Sequence, residues 1–360
     1  MEKHYKILCI NPGSTSTKIA LFDNKEKLDE VTLDHDGEEL TKYPDIMSQL
    51  PMRKAAIYDY LKSKNMEPSE IDAIAARGGP EGIRYHAGAY AIDEDMIAAC
   101  MDPANVTHPM CLAPVIAYEW VKEFGTPSYN YDVVMVDEMT EVAHVGSLPG
   151  MDRLAACHTL NTRAVARAVA EEQGKRYEDV TYIMCHWGGG CSTSLHEKGK
   201  ITDLVSAGEC SFSPSRAGRI PYNKLVKLCF SGKYTAAELN KLFANHSGLL
   251  AHLGTLDCRE VETRIAAGDE KAKLIYEAFA YNLAKDIGTL SVAVGGKVDN
   301  IVMTGGIAHS EMLTGMVKEM VSFIAPVVVR PGAMEVEALA GGILRVLNGE
   351  KKPYRFVDPY

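Results

Sequence analysis

ILCINPGSTSTKIALF, from Ile7 to Phe22, and YIMCHWGGGCSTSLHEKGK, from Tyr182 to Lys200, carry nearly the same pattern twice. Each is an apolar run that meets a polar residue, a glycine-bearing turn and a cluster of hydroxyl side chains. The polar lead residues, Asn11 and His186, stand 175 residues apart, close to half the chain. A single turn of this kind is an ordinary hairpin, because Gly, Ser and Thr populate many of them. Two copies at that separation predict a duplicated domain whose paired turns grip one phosphate chain.

A chain of 360 residues exceeds what one hydrophobic core normally serves, so two domains are expected, 1–175 and 176–360. Hydrophobic residues at 46% and charged residues at 24% are globular proportions with ample material for two cores. The opening MEKHYKILCINPG holds too few apolar residues for a secretory signal, and no later run reaches membrane-spanning length. A cytoplasmic protein with no membrane partner is expected. The nine cysteines include no CxxC pair, and Cys9, Cys185 and Cys229 sit inside apolar runs, so neither a zinc site nor a disulfide framework is implied. A net charge of −10 argues against nucleic acid as a partner, since a polyanion needs basic surface.

Along the chain, Lys6 to Phe22 predicts strand, turn and strand, with a helix following over Asp45–Lys62. The stretch from Ile71 predicts a buried strand entering a glycine-rich loop that carries Arg77, Arg84 and His86. YDVVMVDEMT, from Tyr131, predicts a parallel-type strand ending in Asp137 and Glu138, where acidic residues commonly face a ligand crevice. Helices are expected from near Asn161 to Gly174, from Asp269 to Ala293, and over EVEALAGGILRVLNG near the C-terminus. DNIVMTGGIAHSEML predicts a buried strand delivering Gly305 and Gly306 to a helix start.

The Asn11 turn gathers backbone N–H groups, the hydroxyls of Ser14 and Ser16 and the Lys18 ammonium, a set suited to a phosphoryl group. It lacks the GxxxxGK[ST] spacing of a P-loop. Gly188, Gly189 and Gly190 in succession are costly in chain entropy and predict close backbone approach to a ligand, with a bulged turn as the plain alternative. Thr304-Gly305-Gly306-Ile307 is a third element of this kind. Asp137 with Glu337 or Glu335 suits Mg²⁺, which takes one or two carboxylates and completes its shell with water and phosphate oxygens. For the glutamates, compensation of a helix N-terminus is the competing role. Arg77, Arg216, His158 and His186 each adjoin a glycine or hydroxyl turn and are candidates for binding a carboxylate and a transferring phosphoryl group.

In these motifs the chain resembles the acetate and butyrate kinase family, within the superfamily of acetate and sugar kinases, heat-shock chaperones and actin. The resemblance runs over nearly the whole length. The family's N-x-G-S-[ST]-[ST] matches Asn11, Gly13, Ser14, Thr15 and Ser16, and its H-x-G-x-G-x-S matches His186, Gly188, Gly190 and Ser192. Its strand-ending Asp resembles Asp137, the His before its hydroxyl-rich helix resembles His158, and the Arg of its T-R-S-G-D loop resembles Arg216. Its D-[FM]-R resembles Asp257-Cys258-Arg259, its T-[AG]-G-I turn matches Thr304 to Ile307, and its late metal-linked Glu resembles Glu337. The resemblance implies an α/β fold of two duplicated actin-like, ribonuclease H-like domains with a ligand cleft between them. The N-terminal domain would take the acyl and phosphoryl side, and the C-terminal one the nucleotide and a homodimer or higher homo-oligomer interface. It also implies ATP/ADP and Mg²⁺ as cofactors, with a short-chain carboxylic acid and its acyl phosphate as substrates.

Residue by residue, the resemblance puts Arg77, Asp137, His158, His186 and Arg216 in the reaction and Asp137 with Glu337 on the metal. It puts Asn11, Ser14, Ser16, Lys18, Gly188, Gly189, Gly190, Asp257, Arg259, Gly305, Gly306 and Ile307 on the nucleotide. Departures from the acetate kinase pattern carry information. H-R-V-V-H-G-G becomes Ile74-Ala-Ala-Arg77-Gly-Gly, so the substrate Arg of those enzymes has no match at its own position and Arg77 stands where they have His. Y-G-F-H-G becomes Ala-Ala-Cys157-His158-Thr, removing a bulky Phe, while Ala76 replaces a Val. Two more buried methylenes, at about 0.8 kcal/mol each, favour butyrate over acetate, with propionate and isobutyrate as alternatives. A carboxylate acceptor, with an ordinary pKa of about 4, arrives ionised and needs no general base. Asn11, where sugar kinases carry Asp, fits that acceptor; a non-catalytic actin-like ATP-binding module is the rival from another class.

Overall fold

The computed structural model describes residues 3–357 other than Glu81, Thr107 and Ala207. Eleven strands fall into two sheets among these residues. The first holds β1 (Lys6–Pro12), β2 (Ser16–Asp23), β3 (Glu26–Asp34), β4 (Ala73–Ala76), β5 (Ala89–Ala91) and β6 (Ser128–Tyr131), in the order β3-β2-β1-β4-β6-β5. The second holds β7 (Thr181–Trp187), β8 (Cys191–Glu197), β9 (Lys200–Val205), β10 (Asn300–Gly305) and β11 (Val327–Pro331), in the order β11-β10-β7-β8-β9. In each sheet the first three strands form an antiparallel meander, and the first of them then pairs parallel with the fourth. β5 aside, the two sheets have one topology. Even the irregularities repeat: the register slips between Leu21 and Phe22 in β2, and between Leu195 and His196 in β8.

The apolar runs that open the two motifs are continuous because each forms a central strand buried on both faces. In β7, Ile183, Cys185 and Trp187 enter a core with Phe279, Leu283 and Met303, while Tyr182 and Met184 pack on the opposite face with Val165 and Val169. His186 shares that second face by the two-residue alternation of a strand. In β1, Leu8 and Ile10 enter a core with Ile74, Leu112 and Trp120, and the Cys9 thiol on the other face donates to the Val336 carbonyl at 3.6 Å.

Two compact units result, Met1–Asp137 with Met334–Tyr360, and Glu138–Ala333. The sequence boundary between 175 and 176 thus does not coincide with the division of contacts. The cause is an exchange of helices. Thr159–Glu172, from the first sequence half, packs on β7, and Glu335–Leu347, from the second, packs on β1, β4 and β6. Their first residues are 176 apart, within one residue of the 175-residue spacing of the repeat. The late helix lies close to its sheet because Gly342 faces the Tyr131 ring, where a Cβ would come within 2.7 Å.

Other expectations need smaller adjustment. The helix placed over Asp45–Lys62 runs Leu50–Ser63 after a 3₁₀ turn at Met47–Gln49, and the one from Asp269 runs Glu270–Ala293 with Asp269 as its N-cap. YDVVMVDEMT is not a strand. Pairing stops at Tyr131 because Asp132 adopts φ 41° and turns the chain out of the sheet, leaving one isolated bridge between Val136 and Tyr85. No helix among the described residues is long and apolar enough to cross a membrane.

Candidate functional site

In the first unit, Asn11 lies buried near the end of β1 and joins a polar triad. Its amide nitrogen donates to Glu335 Oε2 at 2.9 Å, and its Oδ1 accepts from Arg77 Nη1 at 3.3 Å. Arg77 Nη2 closes the triangle on Glu335 Oε1 at 3.1 Å. The parallel pairing of β1 with β4 delivers Arg77 here, since its backbone N–H donates to the Ile10 carbonyl at 2.8 Å. Lys18 does not join the triad: its ammonium pairs with Glu30 at 3.1 Å along the meander. Glu337 meets Lys27 at 2.8 Å, while its buried Oε2 has no hydrogen-bond partner among the described residues. Asp137, 4% exposed, accepts from Arg84 Nε at 2.6 Å.

Beneath the Asn11 turn lies Arg53, fully buried, which sequence reasoning passed over. Its guanidinium donates to the Ser16 carbonyl at 2.9 Å and the Ser14 carbonyl at 3.3 Å, so it holds the turn by its main chain. Arg53 shares the buried face of its helix with Ile57, Tyr60 and Leu61. A cation at an apolar position of the helical repeat was the available signal. Ser14 itself is exposed, and its hydroxyl lies 3.3 Å from His108 Nε2.

In the second unit the counterpart of Asn11 is His186, stacked on His158 with ring centroids 3.9 Å apart and planes 7° from parallel. His158 is the N-cap of Thr159–Glu172. One turn on, Asn161 sets its amide nitrogen 2.8 Å from His186 Nδ1, which fixes that nitrogen as acceptor and leaves the proton on Nε2. The Ser192 hydroxyl lies 2.8 Å from His158 Nδ1 and 3.4 Å from the His158 backbone N–H. Where that hydroxyl donates to Nδ1, His158 takes the same tautomer. Both rings then present an Nε2–H donor. Asn161 was missed although it lies three residues after His158 on one helix face.

The loop carrying Arg216 docks on the glycine turn. Ser213 and Ser215 donate their hydroxyls to the Gly189 carbonyl at 2.6 and 3.2 Å, and the Arg216 guanidinium lies flat over Gly190, where a Cβ would come within 2.7 Å. Gly305, at φ 92°, puts its backbone against Trp187, so the third glycine element abuts the second. These turns open onto a pocket of about 830 Å³ lined by Gly188, Gly189, Asp257, Arg259, Gly306 and Ile307 among others. That volume lies in the range of small-molecule and cofactor sites. Asp257 N-caps the helix Cys258–Ala266 and pairs with Arg259 at 2.7 Å, which pulls its carboxyl below the usual range. On the pocket wall, Glu262 accepts from both Ser310 and Tyr276 hydroxyls.

Cys157 stands elsewhere. Three per cent exposed, it packs with Met139, Ala155, Ile201 and Leu204, so a Phe at 157 has to displace core side chains rather than narrow an open pocket.

Two sheets of one topology, each ending its central hairpin in a polar residue and a glycine turn, define the duplicated actin-like α/β fold. Within it, residues 150–324 match the model of the Acetokinase family, just under half of the chain. Among solved structures, an acetate kinase from Porphyromonas gingivalis superposes with a TM-score of 0.78 at 22% identity, covering 95% of this chain and 100% of that one. A propionate kinase from Francisella tularensis subsp. tularensis gives 0.75 at 18% identity over 94% and 98% of the two chains. An acetate kinase from Entamoeba histolytica gives 0.76 at 17% identity, again over 94% and 98%. At these identities the superpositions establish the fold.

Proposed function

We propose that the chain is an acetokinase-family phosphotransferase that moves the terminal phosphoryl group of ATP reversibly to a short-chain carboxylate, with butanoate as the preferred acid and butanoyl phosphate and ADP as products. The observation that carries the reading is the Asn11 triad. An amide bonded to Arg77 and Glu335 cannot take up a proton, and the Glu335 carboxylate bonded to it is already engaged by an arginine. An acceptor that must be deprotonated is poorly served there, whereas a carboxylate arrives ionised. Catalysis is then alignment and charge neutralisation.

The residues divide the work. Arg77 binds the acid's carboxylate. His158 and His186 donate their Nε2–H groups to equatorial phosphoryl oxygens, and Arg216 neutralises charge on the transferring group. Gly188 to Gly190 and Gly305-Gly306 approach the phosphates and adenosine by backbone. Among the described residues no cluster of three or more His, Cys, Asp or Glu forms a protein-only metal cage. That suits Mg²⁺ carried by nucleotide, which needs one or two protein carboxylates and supplies charge neutralisation on phosphate oxygens. Asp137 and Glu337 are proposed as those carboxylates: the buried Oε2 of Glu337 has no hydrogen-bond partner among the described residues, whereas both oxygens of Glu335 are held by Asn11 and Arg77. Glu337→Gln is expected to raise the Mg²⁺ concentration for half-maximal rate about tenfold, with Glu335→Gln shifting it less than about twofold. The reverse order in an Mg²⁺ titration moves the ligand to Glu335.

Butyrate over acetate is supported by lost side-chain volume at 76 and 157 relative to the acetate kinase pattern. Both residues are core, and each directly precedes a residue assigned to the reaction, Arg77 and His158. Hydroxamate trapping of acyl phosphate across acids of two to six carbons tests reaction and chain length together. A maximum at four carbons is expected, a maximum at two returns the acid to acetate, and no acid-dependent ADP release at all sinks the kinase reading.

A further inference from the structure

Asp286, on the helix Glu270–Ala293, is completely buried and belongs to none of the groups assigned above. Its Oδ2 accepts the backbone N–H of Ser211 at 2.7 Å, and its Oδ1 stands 2.7 Å from Arg219 Nη2. The Arg219 contact is ionic: Oδ1 receives no hydrogen bond in directed geometry. Ser211 and Arg219 are the two feet of the loop that carries Arg216. The Arg219 N–H donates to the Cys210 carbonyl at 3.0 Å, and higher up the Ser213 N–H donates to the Arg216 carbonyl at 3.0 Å. Gly218, at φ 60°, lets the returning strand lie on Cys210 and Ser211, where a Cβ would fall 2.5 Å from backbone.

We propose that Asp286 is a positioning residue that locks both feet of the 210–219 loop and so fixes the Arg216 guanidinium over Gly190. The proposal rests on the role given to Arg216 above. A carboxylate on the buried side of a helix that also buries Leu283, Ile287 and Leu290 is a poor device for stability, since a well-packed apolar residue serves as well or better. What the charge adds is geometry, because it holds one main-chain N–H and one guanidinium at once.

Protonation gives the lock a signature. Burial pushes the Asp286 carboxyl up to about 6, against the Ser211 N–H and Arg219, which pull it down. Lys285 and the buried thiols of Cys185, Cys191 and Cys210 are the other titratable groups that feel it. Because the folded-state value lies above the ordinary 3.8, the contribution of Asp286 to stability is full below that value and lost as pH rises through about 6. The locked loop requires the ionised form, so stability and turnover respond to this one group in opposite directions.

The test is the pH profile of kcat in the full-length protein, for wild type, Asp286→Asn, Arg219→Gln and Arg216→Ala. Asp286→Asn keeps volume and an acceptor for the Ser211 N–H. It is expected to lower kcat about tenfold or more, to abolish an acid limb near pH 6, and to leave the thermal midpoint unchanged or higher. Arg219→Gln should lower kcat by a like factor, and neither change should lower kcat further in the Arg216→Ala background. Wild-type kcat in Asp286→Asn, a retained acid limb, or losses that add to those of Arg216→Ala overturn the lock. If Asp286→Asn fails to fold, Arg219→Gln decides alone. Arg216→Ala at wild-type turnover removes the role given to Arg216 instead, which keeps the two failures apart.

Discussion

Arg216→Ala is expected to lower kcat about a thousandfold, near 4 kcal/mol of transition-state stabilisation, while the thermal midpoint moves by no more than a few degrees. The separation of the two effects follows from what the side chain touches. Arg216 is half-buried, makes no ion pair among the described residues, and rests on the flat face of Gly190. The loop's own hydrogen bonds run through main chain and serines: the Arg216 N–H to Ser213 Oγ at 3.1 Å, and Ser213 Oγ to Gly189. Removing the guanidinium leaves these intact. Lysine is expected to restore little, because a compact ammonium on a flexible stem neither spreads over Gly190 nor donates in a planar fork. Steady-state kinetics at saturating ATP and acid, beside a thermal melt, measure both quantities. A kcat within threefold of wild type removes Arg216 from the reaction, and a midpoint lowered by ten degrees makes it a structural residue.

The sheets were legible in the sequence because their strands are long, apolar and bounded by glycine turns, and the repeat announced itself in the spacing of Asn11 and His186. The exchange of helices was not. Nothing in Thr159–Glu172 or Glu335–Leu347 says which sheet it will cover, since an amphipathic face reports only that something apolar lies opposite. The strand expected at YDVVMVDEMT failed for a related reason: apolar content alone does not reveal that Asp132 will take φ 41° and turn the chain out. Among site residues, those beside glycines were visible. Those acting through the main chain were not: Arg53 under one turn and Asp286 under one loop are charges on the buried faces of their helices, with partners 37 and 75 residues away in sequence. Glu335 and Glu337 show the limit most directly. Two residues apart in one first helical turn, they differ in which cation they meet, Arg77 or Lys27, and only folding decides that.

Gly305→Ala and Gly189→Ala are expected to fail in opposite ways, and the contrast separates the fold from the ligand. At Gly305 a Cβ would lie 2.3 Å from the Trp187 carbonyl oxygen and 2.8 Å from the Trp187 N and C, at a φ of 92° that L-residues rarely adopt. The neighbours are backbone of β7, pinned by the pairing of Thr304 with His186, and have no rotamer to give way. Strain and overpacking of this kind cost about 3 kcal/mol or more together, which for a unit of this size lowers the midpoint about ten degrees. At Gly189 the same methyl meets nothing within 4 Å, and the residue is exposed on the turn that borders the pocket. Gly189→Ala should therefore melt with wild type, yet raise the KM for ATP about tenfold if phosphate approaches this backbone as closely as proposed. An unchanged KM in Gly189→Ala removes the turn from the nucleotide site, while a wild-type melt in Gly305→Ala shows that β10 can retreat from Trp187 without loss.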